Sequence, residues 1–117
     1  MAGLDRDKVA REFAAAVNMT AAVLEAWLKT AESRKVGYKG ADGSAKESVG
    51  HASGRRIVAI LRKAKGDLTD EDYAHMRKVV GYVRRHSAQR PENMVTSRWR
   101  YSLMNWGYDP IGLRSER

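Results

Sequence analysis

The strongest helical signal in the chain is TDEDYAHMRKVVGYVRRH, residues 69–86. Its apolar residues recur at steps of three and four, the spacing of one helical face: Tyr73, Met76, Val80 and Val83. Thr69 is a suitable N-cap, and acidic residues follow it while basic residues fill the last turns, which complements the helix dipole. The stretch therefore predicts a long amphipathic helix that stops before Pro91.

Further helices are predicted on both sides of this one. A helix from near Asn93 to Trp106 is followed by Gly107, a typical helix terminator. On the N-terminal side, a helix from Ser53 to about Lys65 would end at Gly66. The apolar face of the C-terminal helix would consist of Val95, Trp99, Leu103 and Trp106.

A first pair of helices is predicted over about residues 5–33. One runs from Asp5 to Asn18, and Thr20 caps a second helix that reaches about Ser33. Because about two residues join them, the pair is predicted to form a helical hairpin, with the front of a helix-turn-helix as the alternative.

The whole chain is predicted to form one all-α domain. Glycine and serine interrupt any periodicity over about residues 35–52, which predicts a long Gly-rich loop between helices 2 and 3. Basic helices and an aromatic C-terminal helix follow over about residues 53–107. The expected fold is therefore a single compact domain over residues 1–117, with about five helices.

The composition limits the cellular compartment in which this domain is expected. The chain has no cysteine, which excludes disulfides and thiolate metal sites. It has no apolar run near the roughly 20 residues that cross a bilayer, and its N-terminus carries acids where a signal peptide would carry basic residues. We expect a cytoplasmic protein with no membrane partner.

The net charge of +8 is concentrated in the second half of the chain. Residues 1–50 hold eight Lys or Arg against seven Asp or Glu, whereas residues 51–117 hold fourteen against seven. Arginine greatly outnumbers lysine in that second half, and its planar guanidinium suits phosphate groups. The composition therefore predicts a polyanion as partner.

Basic residues of the third and fourth helices repeat every seven positions, so they group on helical faces. Arg98 and Arg100 would extend this surface. The predicted nucleic-acid contacts are Arg55, Arg56, Arg62, Lys63, Arg77, Lys78, Arg84, Arg85, Arg98 and Arg100. The alternative is that these are ordinary solvated faces.

The segment Gly50–Arg56 leads from the loop into a predicted helix N-terminus, where unsatisfied N–H groups attract anions. It is a reasonable phosphate clamp, and a capped helix explains it almost as well. It lacks the glycine-lysine-serine pattern of a nucleotide-binding loop. The aromatic residues near the C-terminus could stack on bases, but Trp99 and Trp106 share a stripe with Leu103 and are expected to be mostly core.

No residue pattern indicates catalysis, a metal or a cofactor. The histidines are His51, His75 and His86, and none has metal-ligand spacing with another ligand. The acids at positions 70–72 are explained by helix capping. We therefore expect no enzyme activity, no catalytic residues, no metal and no cofactor.

Four motifs resemble a known family of bacterial and fungal proteins called domain of unknown function 3140. They are the segments Ser48–His51, Ser53–Val58, Asp72–Tyr82 and Arg98–Gly107. Some members of that family carry a provisional DNA-binding label, so the resemblance implies DNA binding as an expectation. It assigns no residue a role.

The sequence thus predicts a protein that binds double-stranded DNA through phosphate contacts, and that would be associated with the nucleoid. RNA is the alternative nucleic acid. A protein-interaction or homo-oligomeric assembly module with no nucleic-acid role is the alternative from another class.

Overall fold

The computed structural model describes residues 5–40 and 42–111, and within them the chain is all-α, with six α-helices and no strand. The helices are α1 (Arg6–Ala16), α2 (Ala21–Leu28), α3 (Ala31–Lys35), α4 (Val49–Leu61), α5 (Asp70–Ser87) and α6 (Arg98–Asn105). A 3₁₀ turn, Lys65–Asp67, precedes α5. The predicted fold class, a single helical domain, is confirmed. No helix in the described part of the chain has the length and hydrophobicity needed to cross a membrane.

Side-chain caps begin all six helices. The Asp5 carboxylate and the hydroxyls of Thr20, Thr30, Ser48, Thr69 and Ser97 each accept a hydrogen bond from an N–H of the first turn. At α5 the Asp72 carboxylate also accepts from the Thr69 N–H, at 3.0 Å, which completes a capping box. The predicted Thr69 cap is confirmed.

Two predicted boundaries in the first half of the chain are wrong. α1 ends at Ala16 rather than Asn18. The second helix does not continue to Ser33, because Thr30 caps the separate helix α3. The Thr30 hydroxyl donates to the Trp27 carbonyl at 2.8 Å and accepts from the Ser33 N–H at 3.1 Å, which stabilises the break.

Three boundaries in the second half are also wrong. α4 begins at Val49 rather than Ser53, because Ser48 is its cap, so the loop between helices spans residues 36–48 rather than 35–52. α4 ends at Leu61 rather than near Lys65. The last helix begins at Arg98 rather than Asn93, because Ser97 caps it.

The helices pack in two main pairs, with α6 between them. α1 lies on α5 and α2 lies on α4, so the two helices of the predicted hairpin pack mainly on later helices. α6 contacts α2, α3, α4 and α5. Four core side chains have no exposed surface, and burial of each contributes about 1.5–3 kcal/mol: Leu24, Ile57, Val79 and Leu103.

A short clasp joins the end of α6 to the turn between α1 and α2. Gly107, whose φ of 86° favours glycine, accepts hydrogen bonds at its carbonyl from the N–H groups of Asn18 and Met19 at 3.1 and 3.2 Å. The Asn18 side chain donates to the Asp109 carbonyl and accepts from the Asp109 N–H, both at 2.8 Å. The segment after α6 is therefore fixed across the N-terminal part of the fold.

Candidate functional site

The predicted basic residues within and just after α4 have carboxylate partners. Arg55 donates twice to Glu47, at 2.7 and 2.6 Å, and this hydrogen bonding is the main reason that the pKa of Glu47 is lowered to about 2. Arg62 donates twice to Glu25 of α2, at 3.2 and 3.1 Å. These two arginines are exposed, but their charges are compensated locally.

Arg56 of α4 and Lys63, which lies just after the end of α4, converge on one buried acid. Lys63 Nζ lies 2.6 Å from Asp72 Oδ2, and Arg56 lies 3.4 Å from Asp72 Oδ1. The hydrogen bond from Lys63 is the main reason that the pKa of Asp72 lies well below its usual range, and the bond from the Thr69 N–H adds to it. This cluster links α4 to the start of α5.

Two of the predicted contact residues outside α4 are also paired. Arg84 lies 3.4 Å from Glu12 of α1. Arg100 donates twice to Asp109, both at 3.0 Å, and its side chain is only 19% exposed. Arg100 therefore braces the segment after α6 rather than extending a basic surface.

Four of the ten predicted residues have no acidic partner among the described residues: Arg77, Lys78, Arg85 and Arg98. All four are exposed. Three of them, Lys78, Arg85 and Arg98, line the same groove. The structure thus reduces the predicted ten-residue surface to a smaller uncompensated group on α5 and α6.

This groove has a volume of about 520 Å³ and lies where α5, α6 and the first turn of α4 meet. Gly50, Asn105 and Trp106 are buried residues that form its floor, and Tyr38, 63% exposed, lies at its edge. Its volume falls in the range of small-ligand sites.

An aromatic stack forms one wall of the groove. The Tyr82 ring lies 4.0 Å from the His86 ring and 4.2 Å from the Trp106 ring, both nearly parallel. Burial raises the pKa of Tyr82, and burial followed by the charge of Arg85 lowers the pKa of His86. The groove's positive charge therefore comes from its lysine and arginines.

Of the two tryptophans expected in the core, Trp106 is 4% exposed and Trp99 is half-buried. The Trp99 indole N–H donates to the His86 carbonyl at 2.5 Å.

The first turn of α4 approaches Trp106 very closely. A Cβ atom on Gly50 would lie 2.9 Å from Trp106 Nε1, closer than side-chain atoms normally approach. Glycine at this position therefore lets the indole N–H lie against the helix N-terminus. In the segment Gly50–Arg56 only Gly50 lines the groove, because Arg55 and Arg56 are directed to Glu47 and Asp72.

A serine and a histidine also lie within hydrogen-bond distance of each other. Ser53 Oγ is 2.8 Å from His75 Nε2, and burial is the main reason that the pKa of His75 is lowered. Ser53 is 4% exposed, and no acidic group within the described residues accepts a hydrogen bond from the other ring nitrogen of His75. Ser53 is therefore buried within the fold, while the His75 ring is half-buried. No cluster of three potential metal ligands occurs in residues 5–40 and 42–111.

Tyr38 and Tyr82 are groove residues that the sequence did not single out. Tyr38 stands between Gly37 and Gly40 in the loop, and an aromatic residue in such a segment was the available signal. Tyr82 lies four residues after Lys78 and three before Arg85, so it shares their side of α5.

Comparison with known proteins establishes the family. The model of the family described as protein of unknown function (DUF3140) matches residues 12–104. The chain belongs to this family, as the four motifs predicted. No curated protein and no solved structure gives a significant match to the chain.

Proposed function

We propose that this protein binds nucleic acid, with double-stranded DNA as the first candidate, through phosphate contacts from Arg77, Lys78, Arg85 and Arg98. One observation carries the proposal: these four cations have no carboxylate within 4.0 Å in the described part of the chain, and three of them line one groove. The other six predicted residues are paired with acids, so they offer less net charge to a polyanion.

The spacing of the unpaired cations suits a phosphate backbone. Lys78 and Arg85 are seven residues apart on α5, which places them about 10.5 Å apart along the helix axis. Each strand of duplex DNA carries one phosphate charge per roughly 3.4 Å of axis, so this spacing covers about three phosphates. Such contacts supply affinity without base recognition.

Fluorescence anisotropy of labelled duplex DNA, single-stranded DNA and RNA, titrated from about 50 to 200 mM salt, tests the proposal. The informative variant combines Lys78→Ala, Arg85→Ala and Arg98→Ala. Its matched control combines Arg55→Ala, Arg62→Ala and Arg84→Ala, which removes the same charge from paired positions. We expect the first variant to weaken binding and to reduce the salt slope by about 1 for each lost phosphate contact. We expect the control to change the affinity and the salt slope much less.

Two results would contradict this proposal. Equal losses in the two triple variants would mean that binding follows net charge alone. Absence of binding to any of the three nucleic acids at physiological salt would refute a nucleic-acid function. In that case a stable dimer in light scattering would favour the assembly alternative.

A further inference from the structure

Two hydrogen-bond donors at the floor of the groove have no acceptor among the described residues. In the first turn of α4, the Val49 N–H donates to the Tyr38 carbonyl at 2.8 Å and the His51 N–H donates to Ser48 Oγ at 3.0 Å. The Gly50 N–H between them has no partner within residues 5–40 and 42–111. The Trp106 indole N–H also has no acceptor among the described residues. Every fully buried side-chain nitrogen or oxygen among those residues has a partner, so this N–H of the 4% exposed Trp106 keeps access to the groove that the residue lines.

The Trp106 indole nitrogen lies close to Gly50, the residue that carries the other free donor. The position of a Cβ on Gly50 is 2.9 Å from Trp106 Nε1, so the indole N–H lies against the α4 N-terminus. A helix N-terminus carries a partial positive charge from its aligned peptide dipoles. The 13 residues of α4 therefore add their dipole to the two N–H groups.

The lysine and arginines that line this groove make its charge positive. Lys78, Arg85 and Arg98 line the groove, and no described carboxylate lies within 4.0 Å of any of them. Hydrogen bonds from charged donors to phosphate oxygens are about twice as strong as neutral ones. An anion with several oxygens would find both the donors and the counter-charge that it requires.

A phosphate monoester fits this arrangement better than an internal phosphodiester. It carries a charge of about −1.5 to −2 at neutral pH and three acceptor oxygens, enough for two N–H groups and several cations. It can also enter a concave floor end-on, whereas an internal phosphate has chain on both sides. At the edge of the groove Tyr38, 63% exposed, offers an aromatic face for a nucleobase.

We propose that the groove is a binding site for a nucleoside phosphate monoester, held by the N–H groups of Gly50 and Trp106 and by Lys78, Arg85 and Arg98. This inference deepens the proposed function. It rests on that function in the case where the ligand is the phosphorylated end of a nucleic-acid strand. The same chemistry is presented by a free mononucleotide and by the phosphorylated end of a nucleic-acid strand, and the experiment separates these two sources.

Isothermal titration calorimetry with adenosine monophosphate, adenosine and inorganic phosphate tests the site. We expect adenosine monophosphate to bind, and adenosine to bind at least about tenfold more weakly, since it lacks the charged hydrogen bonds. Inorganic phosphate should also bind more weakly, because it lacks the base. Trp106→Phe keeps a ring beside Tyr82 and removes the N–H, and Arg98→Ala removes an exposed cation. Each should weaken adenosine monophosphate binding about tenfold, and Arg11→Ala, an exposed arginine of α1, should not.

Anisotropy with single-stranded oligonucleotides identifies the source of the monoester. Ends carrying a 5′- or 3′-phosphate are compared with hydroxyl ends, and about tenfold tighter binding of one phosphorylated end would assign the groove to strand ends. Binding of adenosine monophosphate without any end preference would assign it to free nucleotides. If neither the mononucleotide nor an end phosphate is preferred, the inference is wrong. Nucleic-acid binding that persists with its salt slope would then leave the proposed function standing alone.

Discussion

Replacing Asn105 with leucine should destabilise the fold by about 3–5 kcal/mol, because three polar groups would lose their partner. Asn105 has no exposed surface and lies on α6 beneath the groove. Its Oδ1 accepts from Trp27 Nε1 at 2.7 Å and from Ser33 Oγ at 2.5 Å, and its Nδ2 donates to the Ser33 carbonyl at 3.1 Å. Each buried group left unpaired costs about 1–3 kcal/mol, with the half-buried Trp27 at the lower end. Leucine fills a similar volume, so the loss reports on polar partners rather than on a cavity.

Urea unfolding followed by circular dichroism measures this loss, and thermal unfolding should show a midpoint lower by roughly 12–20 °C for a domain of this size. Asn93→Leu is the matched control, because Asn93 is exposed and, within residues 5–40 and 42–111, its side chain makes a single long hydrogen bond, at 3.4 Å to Thr96. We expect it to change stability by less than about 0.5 kcal/mol. A loss below about 1 kcal/mol for Asn105→Leu, with an unchanged dependence on urea, would refute the reasoning.

Two further variants test the packing of α4 and the ion pairs that Asp72 of α5 makes with Arg56 and Lys63. Gly54→Ala would place a Cβ atom 2.6 Å from the Asn105 carbonyl oxygen and 2.7 Å from a Leu28 methyl group. We therefore expect the free energy of unfolding, measured in urea, to fall by about 1–3 kcal/mol. An unchanged urea midpoint would contradict the close approach. Asp72→Asn should remove stability on the order of 2 kcal/mol at pH 7. The folded pKa of Asp72 is depressed, so this stabilisation is present above the unfolded pKa of about 3.9 and is lost as pH falls through the folded value. The difference between native protein and variant, measured by urea unfolding from pH 7 to 2, should therefore shrink below about pH 4; a difference that grows there would show that the assigned ion pairs are wrong.

The features that the sequence predicted correctly are encoded by residues within a single helix. The long helix predicted within residues 69–86 is observed at Asp70–Ser87, because its cap, its apolar spacing and its terminal charges all lie within the helix itself. The prediction that the second helix reaches Ser33 is wrong for a related reason. Its apolar spacing continues past Leu28, but the Thr30 hydroxyl caps a new helix there. Val23, an apolar residue of this helix, is 55% exposed.

The candidate site depends on pairings that local patterns do not contain. Arg62 and Glu25 are 37 residues apart, and helical spacing shows that Arg62 lies on a basic face without showing that α2 brings an acid to it. The same holds for Arg84 and Glu12. Charge spacing therefore identified basic residues correctly as exposed, but only tertiary packing separates the compensated ones from Lys78, Arg85 and Arg98.

The groove shows the same limit of sequence patterns. Gly50 was singled out as part of a helix N-terminus, and Trp106 as a core residue. Their close approach follows from the packing of α6 on α4, which no periodicity encodes.

The clasp between Gly107, Asp109 and the turn after α1 has a consequence for the order of folding. During synthesis the N-terminal helices emerge first, but the carbonyls that fix Asn18 and Met19 belong to residues made about 90 positions later. α1 packs mainly on α5, so it lacks its main partner until Ser87 has been made, whereas α2 packs mainly on α4, which is complete at Leu61. Contacts so distant in sequence slow folding relative to a simple helical bundle, and they make the final docking of residues 107–109 a late step that closes the fold.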